Sequence, residues 1–98
     1  MEKIIKDGMV AVAVSYGYGA GWSTWNSIDP MDARFNQLFL DGNIAEVERI
    51  CDAEELGYAG GAGDVVIEWV PVGTEFIIHE YDGSESLQIK EEFNWSVA

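Results

Sequence analysis

The segment Tyr16–Asn26 concentrates side chains that can bind a small molecule. It holds four aromatic residues, Tyr16, Tyr18, Trp22 and Trp25, among three glycines. Aromatic faces can stack on a base or sugar. Glycine lets backbone amides approach a ligand closely, and successive amides can form a nest that binds an anion. These residue types predict a pocket for a nucleotide-like ligand.

A second glycine-rich segment, Tyr58–Gly63, has the same character. If both segments lie at strand ends, they can close on one pocket. Aromatic side chains would stack on base or ribose, glycine amides would hold phosphates, and Arg34 is the only cation near enough in sequence to assist. The predicted ligand-binding residues are Tyr16, Tyr18, Gly19, Gly21, Trp22, Ser23, Thr24, Trp25, Asn26, Arg34, Tyr58, Gly60 and Gly61.

A purely structural interpretation of the first segment stays open. Trp22 and Trp25 can plug the end of the core while the glycines let the chain turn. A dinucleotide-binding fingerprint is not indicated, because the segment runs into Trp-Ser-Thr-Trp instead of opening a helix.

Catalytic constellations have little support. We expect His79 to be a partly buried structural residue of a strand, and Cys51 a small core residue on a helix. Ser23 and Thr24 have no histidine nearby in sequence. Several carboxylates can approach one another across the last strands, but they lack calcium-loop spacing and are interpreted as solvated. These are Asp64, Glu68, Glu80, Asp82 and Glu85. We therefore expect no enzyme activity, no metal and no cofactor.

The charge is extreme, with five Lys/Arg against 18 Asp/Glu and a net charge of −13. Binding to nucleic-acid phosphates or to an anionic membrane needs basic residues, so both are disfavoured. An acidic field attracts basic protein surfaces and speeds the encounter. Simple solubility is the other interpretation of this charge.

The elements that would position these residues follow from the hydrophobic pattern. Met9–Ser15 is uncharged and apolar, which predicts a central strand buried on both faces. Asp29-Pro30 begins a first helix that Gly42 ends, with an apolar face that includes Phe35. A second helix capped by Asn43 runs to about Gly57, with an apolar face of Ile44, Val47, Ile50 and Cys51.

Three more strands are predicted over residues 64–71, 75–81 and 85–91, the last two joined by an Asp82-Gly83 turn. The expected fold is α+β, a mostly antiparallel sheet of about four strands with two short helices on one face, in a single domain spanning residues 1–98. A lone cysteine and the absence of a signal-peptide pattern at the start predict a cytoplasmic protein.

Several stretches resemble a group of small proteins encoded by bacteriophages. The resemblance lies in Gly19–Asn26 (GAGWSTWN), Gly57-Tyr58 and Gly60-Gly61, Glu68–Pro71 (EWVP) with Gly73-Thr74, and Glu80–Ser86 (EYDGSES). Small phage proteins of this type include inhibitors of bacterial immunity, some of which sequester cyclic nucleotide signals without turnover. The resemblance implies a phage protein acting in the host cytoplasm.

Two functions are therefore expected, in this order. The first is a homo-oligomeric sponge that sequesters a nucleotide-type signal such as a cyclic ADP-ribose isomer or a cyclic dinucleotide. The second is an acidic inhibitor that mimics nucleic acid and occupies a basic groove on a host defence enzyme or polymerase. A virion or assembly component is a third possibility.

Overall fold

The computed structural model describes residues 1–90 and shows an α+β fold, as predicted. Two helices and five strands follow one another as β1 (Ile5–Lys6), β2 (Met9–Ser15), α1 (Ala33–Leu40), α2 (Ile44–Ala53), β3 (Val65–Pro71), β4 (Phe76–Tyr81) and β5 (Ser84–Ile89), with a short 3₁₀ helix at Ala62–Asp64 before β3. The predicted end of the last strand, at Glu91, lies outside the described residues.

Strand β2 is the centre of a three-stranded antiparallel sheet with order β1-β2-β3. Its residues Val10 to Ser15 are all buried, and Val10 and Val14 lie opposite Val70 and Val66 of β3. The uncharged apolar run is explained by burial on both faces, because successive side chains of a strand point to opposite sides. The prediction of a central strand is confirmed.

The other two strands, β4 and β5, form a separate antiparallel hairpin. Phe76, Ile78 and Leu87 of the hairpin pack against Val12 and Val14, on one face of β2. The helices pack on the opposite face, where Ala13 meets the helical residues in a second cluster; that cluster contains Phe35, Val47, Ile50 and Cys51. The molecule thus has a helix layer, a sheet and a hairpin layer.

The α+β fold is as predicted, but the prediction of a single sheet is wrong, because β4 and β5 form a sheet of their own. The turn after β3 takes the chain out of the first sheet instead of continuing a meander. The N–H of Val72 donates to Gly8 and that of Thr74 donates back to Pro71, so the chain turns over the sheet face before β4 begins. The short strand β1 was not predicted, because two residues carry no detectable period.

Helix α1 is capped by Asp32, three residues after the predicted cap Asp29. The Asp32 carboxylate accepts from the N–H groups of Arg34 and Phe35. The Asp29 carboxylate accepts from the N–H of Met31 and so caps only the turn that precedes the helix. The carbonyl of Pro30 accepts from the N–H of Ala13, a residue of β2 beyond the reach of the short strand β1. This hydrogen bond to the sheet keeps the chain around Pro30 out of the helix. Gly42 ends the helix at φ +72°, as predicted.

Helix α2 is capped by Asn43, whose side chain accepts from Glu46, as predicted. It ends at Ala53, earlier than the predicted Gly57, because Glu55 adopts a left-handed φ of 52°. Cys51 lies in the core, and burial raises the pKa of its thiol. Within residues 1–90, no helix is both long and apolar enough to cross a membrane.

Candidate functional site

The two glycine-rich segments lie against each other. We call residues 16–26 the aromatic loop and residues 58–63 the glycine loop. Asn26 forms a β-bridge with Gly57, and its side-chain amide donates to the carbonyl of Tyr58 at 3.5 Å. A Cβ on Gly61 would stand 2.2 Å from the carbonyl oxygen of Gly21. Both loops therefore form one end of the molecule, as the predicted pocket required.

The aromatic loop is organised by a single buried carboxylate, Glu85 at the start of β5. One carboxylate oxygen accepts from the N–H of Ser15 at 2.9 Å. The other accepts from the N–H of Trp22 at 2.7 Å, the N–H of Thr24 at 3.1 Å and the Thr24 hydroxyl at 2.6 Å. Glu85 is 0% exposed. These four donors replace the water molecules that would hydrate the carboxylate, which offsets the free-energy cost of burying it.

The anion held by this loop is thus the protein's own carboxylate. The amides of Trp22 and Thr24 bind Glu85, and that of Gly19 donates to the carbonyl of Asp82 at 2.7 Å. The predicted phosphate donors were the amides around Gly19 to Gly21 and around Gly60 to Gly61. Of these, the amide of Gly19 already has an acceptor within the chain, so its predicted role at a phosphate is not supported.

Trp22 is part of the core. It is 0% exposed, and its ring makes edge contacts with Phe35 and Phe39 at centroid distances of 5.8 and 5.0 Å. Its indole Nε1 has no hydrogen-bond partner among the described residues. The predicted stacking of Trp22 on a ligand is wrong for this structure, since neither ring face is accessible; for this residue the core-plug interpretation holds.

Other predicted aromatic residues are accessible. Trp25 is 40% exposed and lies 5.9 Å from the ring of Tyr58, tilted by 35°. Tyr18 is 75% exposed. Gly60 passes beneath the Tyr58 ring, where a Cβ would meet the ring at 2.3 Å. Ser23 and Asn26 are half-buried beside them.

Tyr16 is fixed to the sheet. Its hydroxyl donates to Glu68 on β3 at 2.7 Å. Burial, the hydrogen bond and the negative charge of Glu68 raise the pKa of Tyr16 to about 12. The phenol is therefore neutral over the physiological pH range, and it serves as a donor on this acidic surface.

Arg34 does not serve the loops. Its guanidinium makes a two-pronged ion pair with Glu54, with nitrogen–oxygen distances of 3.0 and 3.2 Å, and lies 4.7 Å from the ring centre of Phe35. The predicted role of this cation at a phosphate is not supported, because its partner is a carboxylate just after α2.

The β4–β5 turn completes the end of the molecule formed by the two loops, a contact that no pattern in the sequence predicts. Gly83 passes so close to the aromatic loop that a Cβ would stand 2.3 Å from the backbone nitrogen of Ala20. The Ser84 hydroxyl donates to the carbonyl of Tyr16 at 3.0 Å. Tyr81 is 79% exposed beside this turn. The only available signal was the glycine-rich loop itself, whose amides required an acceptor from elsewhere in the chain.

The segments that form this end of the molecule carry carboxylates but no basic residue. Residues 16–26, 57–68 and 80–86 include no lysine or arginine. Asp64, Glu80 and Asp82 are exposed there, and Glu68 is half-buried. We call this surface the acidic aromatic end; its exposed aromatic residues are Tyr16, Tyr18, Trp25, Tyr58 and Tyr81.

His79 is exposed on β4 opposite Ser86, so the expected partial burial is wrong. In the part of the chain that the structure describes, no group of three or more His, Cys, Asp or Glu side chains is placed to hold a metal ion. Comparison with protein-family models, with curated proteins and with solved structures finds no match to this chain. Its function is therefore inferred from geometry.

Proposed function

We propose that this chain is a binding protein that docks a basic protein surface onto its acidic aromatic end. The observation that carries the proposal is the combination of five exposed aromatic side chains with exposed carboxylates on loops that Glu85 holds in place. Of the two functions expected from the sequence, this geometry favours the acidic inhibitor over the nucleotide sponge.

The chemistry of the surface suits such a partner. Tyrosine and tryptophan are enriched among the residues that contribute most to protein interfaces. Unpaired carboxylates around them steer a cationic partner and raise its association rate. A groove that normally binds nucleic acid presents lysine and arginine, which this surface complements. The chain would then inhibit by occupancy, without turnover, in the host cytoplasm that the phage resemblance implies.

Nucleotide sequestration is the second candidate. The exposed pair of Trp25 and Tyr58, with Asn26 beside it, offers a face for a planar ring. A phosphorylated ligand would nevertheless meet an acidic surface without a nearby lysine or arginine, and several loop amides are engaged internally. The homo-oligomer that the sponge requires also stays a prediction.

Calorimetric titration with defined probes separates the two candidates. We expect a lysine- and arginine-rich peptide to bind, and a cyclic ADP-ribose isomer and a cyclic dinucleotide to give no heat. The peptide affinity should fall steeply between 0.1 M and 1 M salt, where the Debye length shrinks from about 10 Å to about 3 Å. Heat with a nucleotide but not with the peptide would reverse the assignment.

Two variants locate the peptide site. Tyr18→Ala removes an exposed side chain and should weaken peptide binding about tenfold if it is an anchor. Asp82→Asn removes one charge while keeping a residue that tolerates the left-handed φ of 51°, and should weaken binding about two- to fivefold. Asp52→Asn is the matched control on α2. An equal effect of Asp52→Asn and Asp82→Asn would mean that only net charge matters, which contradicts a defined docking surface.

A further inference from the structure

A second surface lies at the other end of the sheet. An open groove of about 870 Å³ runs beside the start of β2 and the end of β3, whereas the aromatic loop leaves the far end of β2 at Ser15. Its apolar lining includes Ile5, Val10, Met31, Val70, Phe76 and Ile77. This volume falls within the range of sites that bind small molecules, about 300–1,000 Å³.

The groove keeps apolar side chains in contact with solvent. Ile5 is 58% exposed, Val72 56% and Ile77 46%, and all three line it. By contrast, Val10 and Val70 are almost fully buried and make its deepest part. A contiguous apolar surface of this kind on a small protein is typical of a binding site.

The described residues that line the groove carry more positive than negative charge, although the molecule as a whole is strongly negative. Lys3 and Lys90 both line it, although the whole chain has only five Lys/Arg and a net charge of −13. Lys90 pairs with Glu75 at 2.5 Å, and among residues 1–90 Glu75 is the one acidic residue in the lining. Lys3 has no ion pair within residues 1–90. Within the described part of the chain, the groove therefore combines apolar walls with the ammonium group of Lys3, which has no ion pair there.

We propose that this groove binds an amphipathic monoanion of the fatty-acid class. The alkyl chain lies along Val10, Val70 and Phe76, and the carboxylate pairs with the ammonium of Lys3. This site is independent of the acidic aromatic end, which repels anions, so either proposal can fail while the other stands.

Calorimetry of the full chain with decanoate, below its micelle concentration, tests the site. We expect saturable binding of one decanoate per chain, tightening about two- to fourfold for each added methylene from octanoate to dodecanoate. Decanol should bind more weakly than decanoate, and decyltrimethylammonium should not compete. An absence of saturable binding overturns the proposal, whether the groove is empty or filled by a second copy of the chain. Equal binding of the cationic amphiphile also overturns it.

Matched variants assign the binding to the groove. Lys3→Gln should weaken decanoate at least fivefold without changing decanol, and Lys6→Gln is its control, because Lys6 is exposed on β1 outside the lining. Ile77→Glu should abolish binding, whereas Val66→Glu, an equally exposed apolar position on β3, should not. Circular dichroism confirms that each variant folds. Retained decanoate binding in folded Ile77→Glu contradicts the assignment.

Discussion

The Glu85 carboxylate accepts a 2.7 Å hydrogen bond from the backbone N–H of Trp22, 63 positions earlier in the chain. Both residues are 0% exposed. Glu85 belongs to the hairpin layer, and the Trp22 ring packs on the helix layer through Phe35 and Phe39. This pair therefore joins the two outer layers through a loop that has no regular secondary structure, and it explains how a glycine-rich segment can present aromatic side chains in fixed positions.

Glu85→Gln should lower the free energy of unfolding by about 2–4 kcal/mol. The amide keeps one acceptor oxygen but turns an NH₂ group toward backbone donors that the carboxylate now satisfies. Chemical denaturation measures the change. Glu48→Gln, the same substitution at an exposed position of α2, should stay within about 0.5 kcal/mol of the parent. An equally stable Glu85→Gln protein would show that the carboxylate does not organise the loop.

The two tryptophans of the aromatic loop should respond differently to truncation. Trp22→Ala removes a fully buried ring and should cost about 3–5 kcal/mol of stability. Trp25→Ala removes a 40% exposed ring and should cost about 1 kcal/mol or less. Thermal unfolding of both variants is the measurement. Similar losses for the two would contradict the placement of Trp22 in the core and Trp25 on the surface.

Two glycines of one loop provide a test of the contact between the loops. Gly61→Ala places a methyl group 2.2 Å from the Gly21 carbonyl oxygen, so the loops must separate, and stability should fall by about 1–3 kcal/mol. Gly63→Ala meets no atom within 4 Å and should be neutral or stabilising by up to about 1 kcal/mol. Denaturation curves that shift equally for both would mean that the loops are not in contact.

Tyr16 should make stability sensitive to alkaline pH. The folded protein has a Tyr16 pKa of about 12, above the ordinary value of 10.0, so the unfolded chain loses this proton first as the pH rises. The stabilisation is complete below pH 10 and is lost progressively toward pH 12. Ultraviolet titration of tyrosinate should show a late component that is missing in Tyr16→Phe. If Tyr16→Phe instead loses its absorbance amplitude near the ordinary pKa of 10.0, the Tyr16 hydroxyl is not bonded to Glu68.

Local signals in the sequence were sufficient for much of the fold. The uncharged run Met9–Ser15 predicted the central strand with its bounds, since burial on both faces leaves no polar position. Asn43 and Gly42 act within one turn of their own positions, so the start of α2 and the end of α1 were predicted correctly. The Asp82-Gly83 turn has φ values of 51° and 84°, which its residue types favour.

The rest depends on contacts between distant residues. The separation of the sheets follows from where the chain packs after Pro71, which no short pattern encodes. Glu85 was interpreted as one solvated carboxylate among several, because its four donors come from residues more than 60 positions away. For the same reason the aromatic residues of the loop could be recognised as unusual, but not divided into core and surface.

The most direct test of the proposed docking surface is an amide NMR titration of the isotope-labelled full chain with the lysine- and arginine-rich peptide. We predict saturable shift changes confined to residues 16–26, 57–68 and 80–86, which weaken as salt is added. Shift changes concentrated on α1 and α2, or an absence of saturable changes at low salt, would contradict the proposal that the acidic aromatic end binds a basic protein surface.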